Sequence, residues 1–95
     1  MATIIGTATL DFGSTPTDNA VVQVTSLSGL SIGSHKEAFV QADDSTASNN
    51  ANAHHLLGFW GRFTCEYVNA TTMNIYCDLL IGNATGTFIV HYVTV

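Results

Sequence analysis

The stretch FTCEYVNATTMNIYCDLLI, from Phe63 to Ile81, decides the fold. Apolar residues take every second place on both sides of its polar centre: Phe63, Cys65 and Tyr67 before, then Met73, Ile75, Cys77, Leu79 and Ile81 after. Successive side chains leave a strand on opposite faces, so a period of two is the mark of a half-buried strand. Two such runs with a short polar break between them predict an antiparallel hairpin. Pairing them symmetrically about Thr71 sets Asn69 against Met73, Tyr67 against Ile75 and Cys65 against Cys77. Directly opposed residues hold their Cβ atoms about 4.5–5.5 Å apart, slightly beyond the usual disulfide spacing. A strained bridge is permitted, and two packed free thiols are the more natural outcome. Neither cysteine belongs to a CxxC pair and a core-facing thiol has little reason to ionise, so no redox or nucleophilic role is expected.

Upstream of the hairpin, Leu57 and Phe59 share the parity of Phe63. They extend the strand backwards, with a bend at Gly58 or Gly61 where a bulge is cheap. The polar run Asp43 to Asn52 reads as a loop. Ala38, Val40 and Ala42 form the inward face of a further strand, and Ala20 to Leu27 another. Ser28 to Ser34, with two glycines, and Gly13 to Asn19, with the only proline, connect them. At the start, Ala2, Ile4, Ala8, Leu10 and Phe12 face one way, with Thr3, Thr7, Thr9 and Asp11 opposite. The last run, Thr87 to Val95, is apolar on both parities, so it is expected to be buried on both faces or to lie at a subunit contact. Phe88, Val90 and Tyr92, on one parity, are the candidate oligomer interface. The fold class that follows is all-β: one domain, 1–95, forming a small antiparallel β-sandwich of about six to eight strands.

Only 9% of residues are charged, against roughly 25% in ordinary domains. Polarity comes from Thr, Ser, Asn and Gln, which suits a protein that buries much of itself in an assembly or one that lives outside cells. Lys36 and Arg62 are the only certain cations and the formal net charge is −5. Gripping a phosphate backbone takes clustered cations, so no nucleic-acid partner is expected, and no anionic membrane surface either. No apolar run approaches the ~20 residues that span a bilayer. The opening MATIIGTATLDFG lacks a basic region and a continuous apolar region, so no secretory leader is expected and folding in a cytoplasm is. The NAT triplets at Asn69 and Asn83 then read as turns rather than glycosylation acceptors.

The candidate chemical groups do not converge in sequence. His35, His54, His55 and His91, with Glu37, Asp43 and Asp44, are the possible metal ligands, but no spacing matches HxxxH, HExxH or a Cys/His knuckle. Adjacent His54 and His55, read as the end of the polar loop and the entry to a long buried strand, point to opposite faces of that strand, one inward as an anchor and one outward. Three copies of one histidine on a threefold axis remain a possible ion site. Asp43, Asp44, Ser45, Asn49 and Asn50 offer oxygens, yet too few acids at alternate positions for a calcium loop. No GxSxG elbow or converging carboxylate pair is present. The expectation is no enzyme and no cofactor. Trp60 and Tyr92 form a candidate sugar-stacking platform, although aromatic residues in such runs are more often core or interface.

The order of features resembles small virion structural proteins of tailed bacteriophages, of the decoration or tail-accessory type. The resemblance rests on ATLDFGSTPTDNAVVQVTSLSGLSIGS, HKEAFVQADDST, a loop ending in NANAH, NIYCDLLIG and the closing GTFIVHYVTV. The chain departs from that pattern at Ala53, where an acid precedes the histidine, at Thr72-Met73 in place of Gly-Phe, and in its His-Tyr ending. The layout is also similar to the six-stranded sandwich of H-type lectins, an analogy of fold alone. The resemblance implies a homo-oligomer, trimer or hexamer, that contacts other virion proteins such as major capsid or tail proteins. Its place would be the virion, after assembly in the host cytoplasm. The alternative is a carbohydrate-binding module of a phage receptor-binding apparatus, built on Trp60 or Tyr92.

Overall fold

A computed structural model describes residues 3–42, 46 and 48–95. The elements in chain order are β1 (Ile4–Asp11), β2 (Asn19–Val24), β3 (Lys36–Phe39), α1 (Ala51–Trp60), β4 (Gly61–Asn69), β5 (Thr72–Leu79) and β6 (Thr87–Thr94). Two three-stranded antiparallel sheets form, in the orders β1-β6-β3 and β2-β5-β4. β1 lies against β2 and β3 against β4, so the chain is a small all-β sandwich. Ala2 and the acidic positions Asp43 and Asp44, with Ser45, fall outside the described residues.

The alternation sorts as expected. Leu10 of β1, Val24 of β2, Met73, Ile75 and Cys77 of β5, and Phe88, Val90 and Tyr92 of β6 are buried between the sheets. Phe12, Leu27, Leu30 and Leu57 close the ends of this core from loops and from α1. At about 25 cal/mol per Å² of apolar surface, each such side chain adds about 1.5–3 kcal/mol over exposure. Tyr92 fits because its cross-strand partner is Gly6: a Cβ there would meet the ring at 2.6 Å.

Four expectations are corrected. Phe88, Val90 and Tyr92 face the sandwich's own core, with Tyr92 only 8% exposed; they cannot form a subunit contact. β6 is the central strand of its sheet, so its apolar second parity, Ile89 and Val93, lies on the outer face, shielded in part by β1 and β3. The stretch holding Leu57 and Phe59 is the helix α1, and the strand begins only at Gly61. Ala42 is exposed beyond β3, and Ile81, 62% exposed, lies beyond β5. Finally, the hairpin pairs Tyr67 with Met73, Cys65 with Ile75 and Phe63 with Cys77. The turn is tighter than a symmetric reading about Thr71 supposes: Asn69 already faces Thr72, and a bulge follows Tyr67. Asn69 Oδ1 accepts the N–H of Thr71 at 2.9 Å and closes that turn.

The second edge of β6 is covered in two ways. β3 pairs only with His91 to Thr94. Farther along, the side chains of Ser48, Asn49 and His54 take the place of a strand. Ser48 Oγ accepts the Thr87 N–H at 2.8 Å, Asn49 Nδ2 donates to the Thr87 carbonyl at 2.8 Å, and His54 Nε2 accepts the Ile89 N–H at 3.0 Å. Ser48 reaches that position because it crosses over Gly86, which has φ +78° and no room for a Cβ.

Candidate functional site

The four histidines are scattered. His54 is fully buried, with Nδ1 3.0 Å from the Asn50 carbonyl and Nε2 on Ile89; its ring sits edge-on to Phe88, centroids 5.1 Å apart. Both ring nitrogens are therefore occupied by protein, which leaves none for a metal. His55 points to solvent. His35 pairs with Glu37 at 3.1 Å on the surface, and His91 stacks on Phe39 with centroids 5.6 Å apart. Among the described residues no three His, Cys, Asp or Glu side chains gather. Asn49 and Asn50 spend their side chains on the Thr85 and Thr87 carbonyls and on capping α1.

Cys65 and Cys77 are free thiols. Burial pushes the Cys77 thiol up to about 12, helped by the neighbouring Asp78 carboxylate. Burial also raises Cys65, against the pull of Lys36. Neither is poised as a nucleophile.

Three surfaces remain. The outer face of β2-β5-β4 is polar, with Gln23 bonded to Asn74 at 3.3 Å. Glu66 accepts from Asn74 at 2.9 Å and from the Tyr76 hydroxyl at 2.7 Å. Those bonds hold the Glu66 carboxyl below its usual range and raise the Tyr76 phenol. The outer face of β1-β6-β3 is mixed: Ile5, 77% exposed, lies across from Val93, Ile89 lies across from Thr9 and Phe39 from His91, among Thr7, Asp11 and Glu37. The third surface is an open cleft of about 360 Å³ between α1 and the 79–85 turn. Leu56, Leu57, Trp60, Leu79 and Ile81 line it, with Asn83 and Thr85 at the polar end. Around its mouth, Phe59 is 68% and Leu80 62% exposed, and the Phe59 ring meets Trp60 edge-on at 4.7 Å.

Of the two sugar-platform candidates, Trp60 lies at this cleft and Tyr92 does not, so the pair is not brought together. The contribution of Leu56, Asn83 and Thr85 escapes a reading of the sequence. The cleft exists only because Leu57 to Trp60 coil as a helix; the consecutive apolar residues Leu79 to Ile81, which break the alternation, are its one signal in the sequence. α1 has ten residues, and no helix is long and apolar enough to cross a membrane among the described residues. Compared with known protein families, with curated proteins and with solved structures, the chain matches none.

Proposed function

We propose that this chain is a structural subunit of a tailed-phage particle, a capsid decoration protein or a tail or head–tail accessory subunit. It acts through protein–protein contacts, in symmetric trimers or hexamers, and not by catalysis. The observation that carries this reading is the exterior. A sandwich of 95 residues with two Lys or Arg leaves Ile5, Phe59, Leu80 and Ile81 largely exposed. Extended apolar exposure on a small domain marks surfaces that partners cover. A chain of this size also buries only about 60–65% of its unfolded surface by itself, so contacts with copies and with shell or tail proteins supply stabilisation. The resemblance of its order of sequence features to that of phage virion proteins supports the same reading.

The test is the protein composition of gradient-purified particles from the lysate that encodes this chain, quantified by mass spectrometry. The chain is expected at a fixed ratio to the major capsid or tail protein, in multiples set by symmetry. Its confinement to the soluble lysate would contradict the reading. One observation favours a carbohydrate-binding module instead: Trp60 beside the uncharged Asn83 and Thr85 at the α1 cleft. Selective binding on a glycan array, abolished by Trp60→Ala, would put that reading first.

A further inference from the structure

Among the described residues, none pairs with the outer edge of β1. Phe12 donates its N–H to the Gly86 carbonyl, on the β6 side. Direction alternates along a strand, so Leu10, Ala8 and Gly6 also bond toward β6. The N–H and C=O groups of Ile5, Thr7 and Thr9 then point away from the sheet. The pairing of β6 agrees, because the Ile89 N–H, opposite Thr9, turns away from β1 to His54. Between Ile4 and Leu10 this edge has no charge, no proline and no bulge, the devices that normally blunt an edge. The opposite side of the sandwich is defended. β3 is four residues long and carries Lys36 and Glu37, while β4 carries Arg62 and Glu66 and is bulged. β2, beside β1, is uncharged but shorter.

We propose that the β1 edge pairs antiparallel with the β1 edge of a second copy of this chain across a two-fold axis, joining two β1-β6-β3 sheets into one. The inference rests on the assembly reading above and names its contact. With the axis at Thr7, Ile5 lies opposite Thr9 of the partner subunit and Gly6 opposite Ala8 of the partner subunit. The two Asp11 carboxylates then stand roughly 27 Å apart at ~3.4 Å per residue. Copies that each carry a formal −5 meet through a strip without charge, where their repulsion is least. A foreign peptide added to an edge takes its specificity from pockets beside that edge. Neither the α1 cleft nor a further open cleft, lined by Ser34, Lys36, Cys65 and Tyr67 between β3 and β4, takes in a β1 residue. The strand's natural complement is itself. A hexamer of dihedral symmetry contains such two-folds and a simple trimer does not.

Light scattering and amide exchange by NMR on the full chain test this together. The expected mass is an even multiple of 10.1 kDa. The amides of Ile5, Thr7 and Thr9 are expected to exchange at least about a hundred-fold more slowly than free amides, like their even-numbered neighbours. Thr7→Lys sets two ammoniums across the axis; it is expected to lower the mass and free the odd amides, with Gly6, Ala8 and Leu10 still protected. Thr9→Lys serves if that variant does not fold, and Thr64→Lys on β4 is expected to leave the mass unchanged. An oligomer whose odd amides exchange freely, or one with an odd number of chains, overturns the two-fold while leaving assembly standing. A single-chain mass overturns both.

Discussion

His54 is held through both ring nitrogens, and this fixes its tautomer. Nε2 accepts from the Ile89 N–H, so Nδ1 carries the hydrogen and faces the Asn50 carbonyl. The ring does the work of a missing strand residue at the β6 edge. His54→Ala would leave a cavity and a buried, unpartnered N–H; it is expected to cost about 3 kcal/mol in urea unfolding. His54→Phe fills the space without the acceptor and should recover only part of that loss, whereas full recovery would show that volume alone matters. Cys77 gives a pH signature. Its folded value, about 12, lies above the ordinary 9.0, so the folded state keeps a proton that the unfolded state releases. The stabilisation is complete below about pH 9 and is lost as pH rises toward 12. Stability measured between pH 8 and 10.5 should therefore fall more steeply for the wild type than for Cys77→Ala; parallel slopes would contradict this. Strand alternation parts His54 and His55 in the sequence; they lie instead in α1, where successive side chains diverge by about 100° and of the two only His54 is buried. The partner of His54, Ile89, lies 35 residues away, and nothing local announces it.

At the scale of elements, the strands were legible and the helix was not. β1, β2, β5 and β6 declare themselves because one face of each is buried against the other sheet, which enforces the period of two. α1 buries only His54 and Leu57, one turn of contact, and leaves Leu56, Phe59 and Trp60 exposed. Its first turn has no acid and its last no base, and its aromatic end imitates the strand that follows. The remaining signal is Asn50, whose Oδ1 accepts the Ala53 N–H at 2.9 Å. Asn50→Ala is expected to cost about 1 kcal/mol, and Asn50→Asp much less, read from thermal or urea midpoints. The hairpin was read correctly as a hairpin and wrongly in register. Counting inward from the cysteines ignores the tighter turn, which moves Asn69 one place on β5, and the bulge after Tyr67, which moves the pairs from Tyr67 back to Gly61 one place more. β6 misled in another way. A strand apolar on both parities fits a central position equally well as an interface, and only the pairing with both β1 and β3 separates the two. Gly6→Val tests that packing: a side chain placed into the Tyr92 ring should destabilise by about 1–3 kcal/mol as overpacking, and Tyr92→Ala in the same chain should relieve part of the clash.

For the whole molecule, the governing facts are scarce charge and apolar residues left outside. The Ile5 face, the Phe59–Trp60 cleft mouth and the bare β1 edge are three surfaces that a solitary domain would be expected to defend. Composition alone made the neutral exterior legible. The location of the exposed surfaces was not, because it depends on which parity of β6 faces outward and on the coil of α1. All three surfaces suit a part whose work is to be packed against others. The most direct measurement is the mass of the full chain in solution by light scattering, over a range of concentrations and with and without a chelator. The account predicts an oligomer, a multiple of 10.1 kDa, unchanged by chelation because its contacts are apolar and backbone-paired. A single-chain mass at every concentration would contradict it.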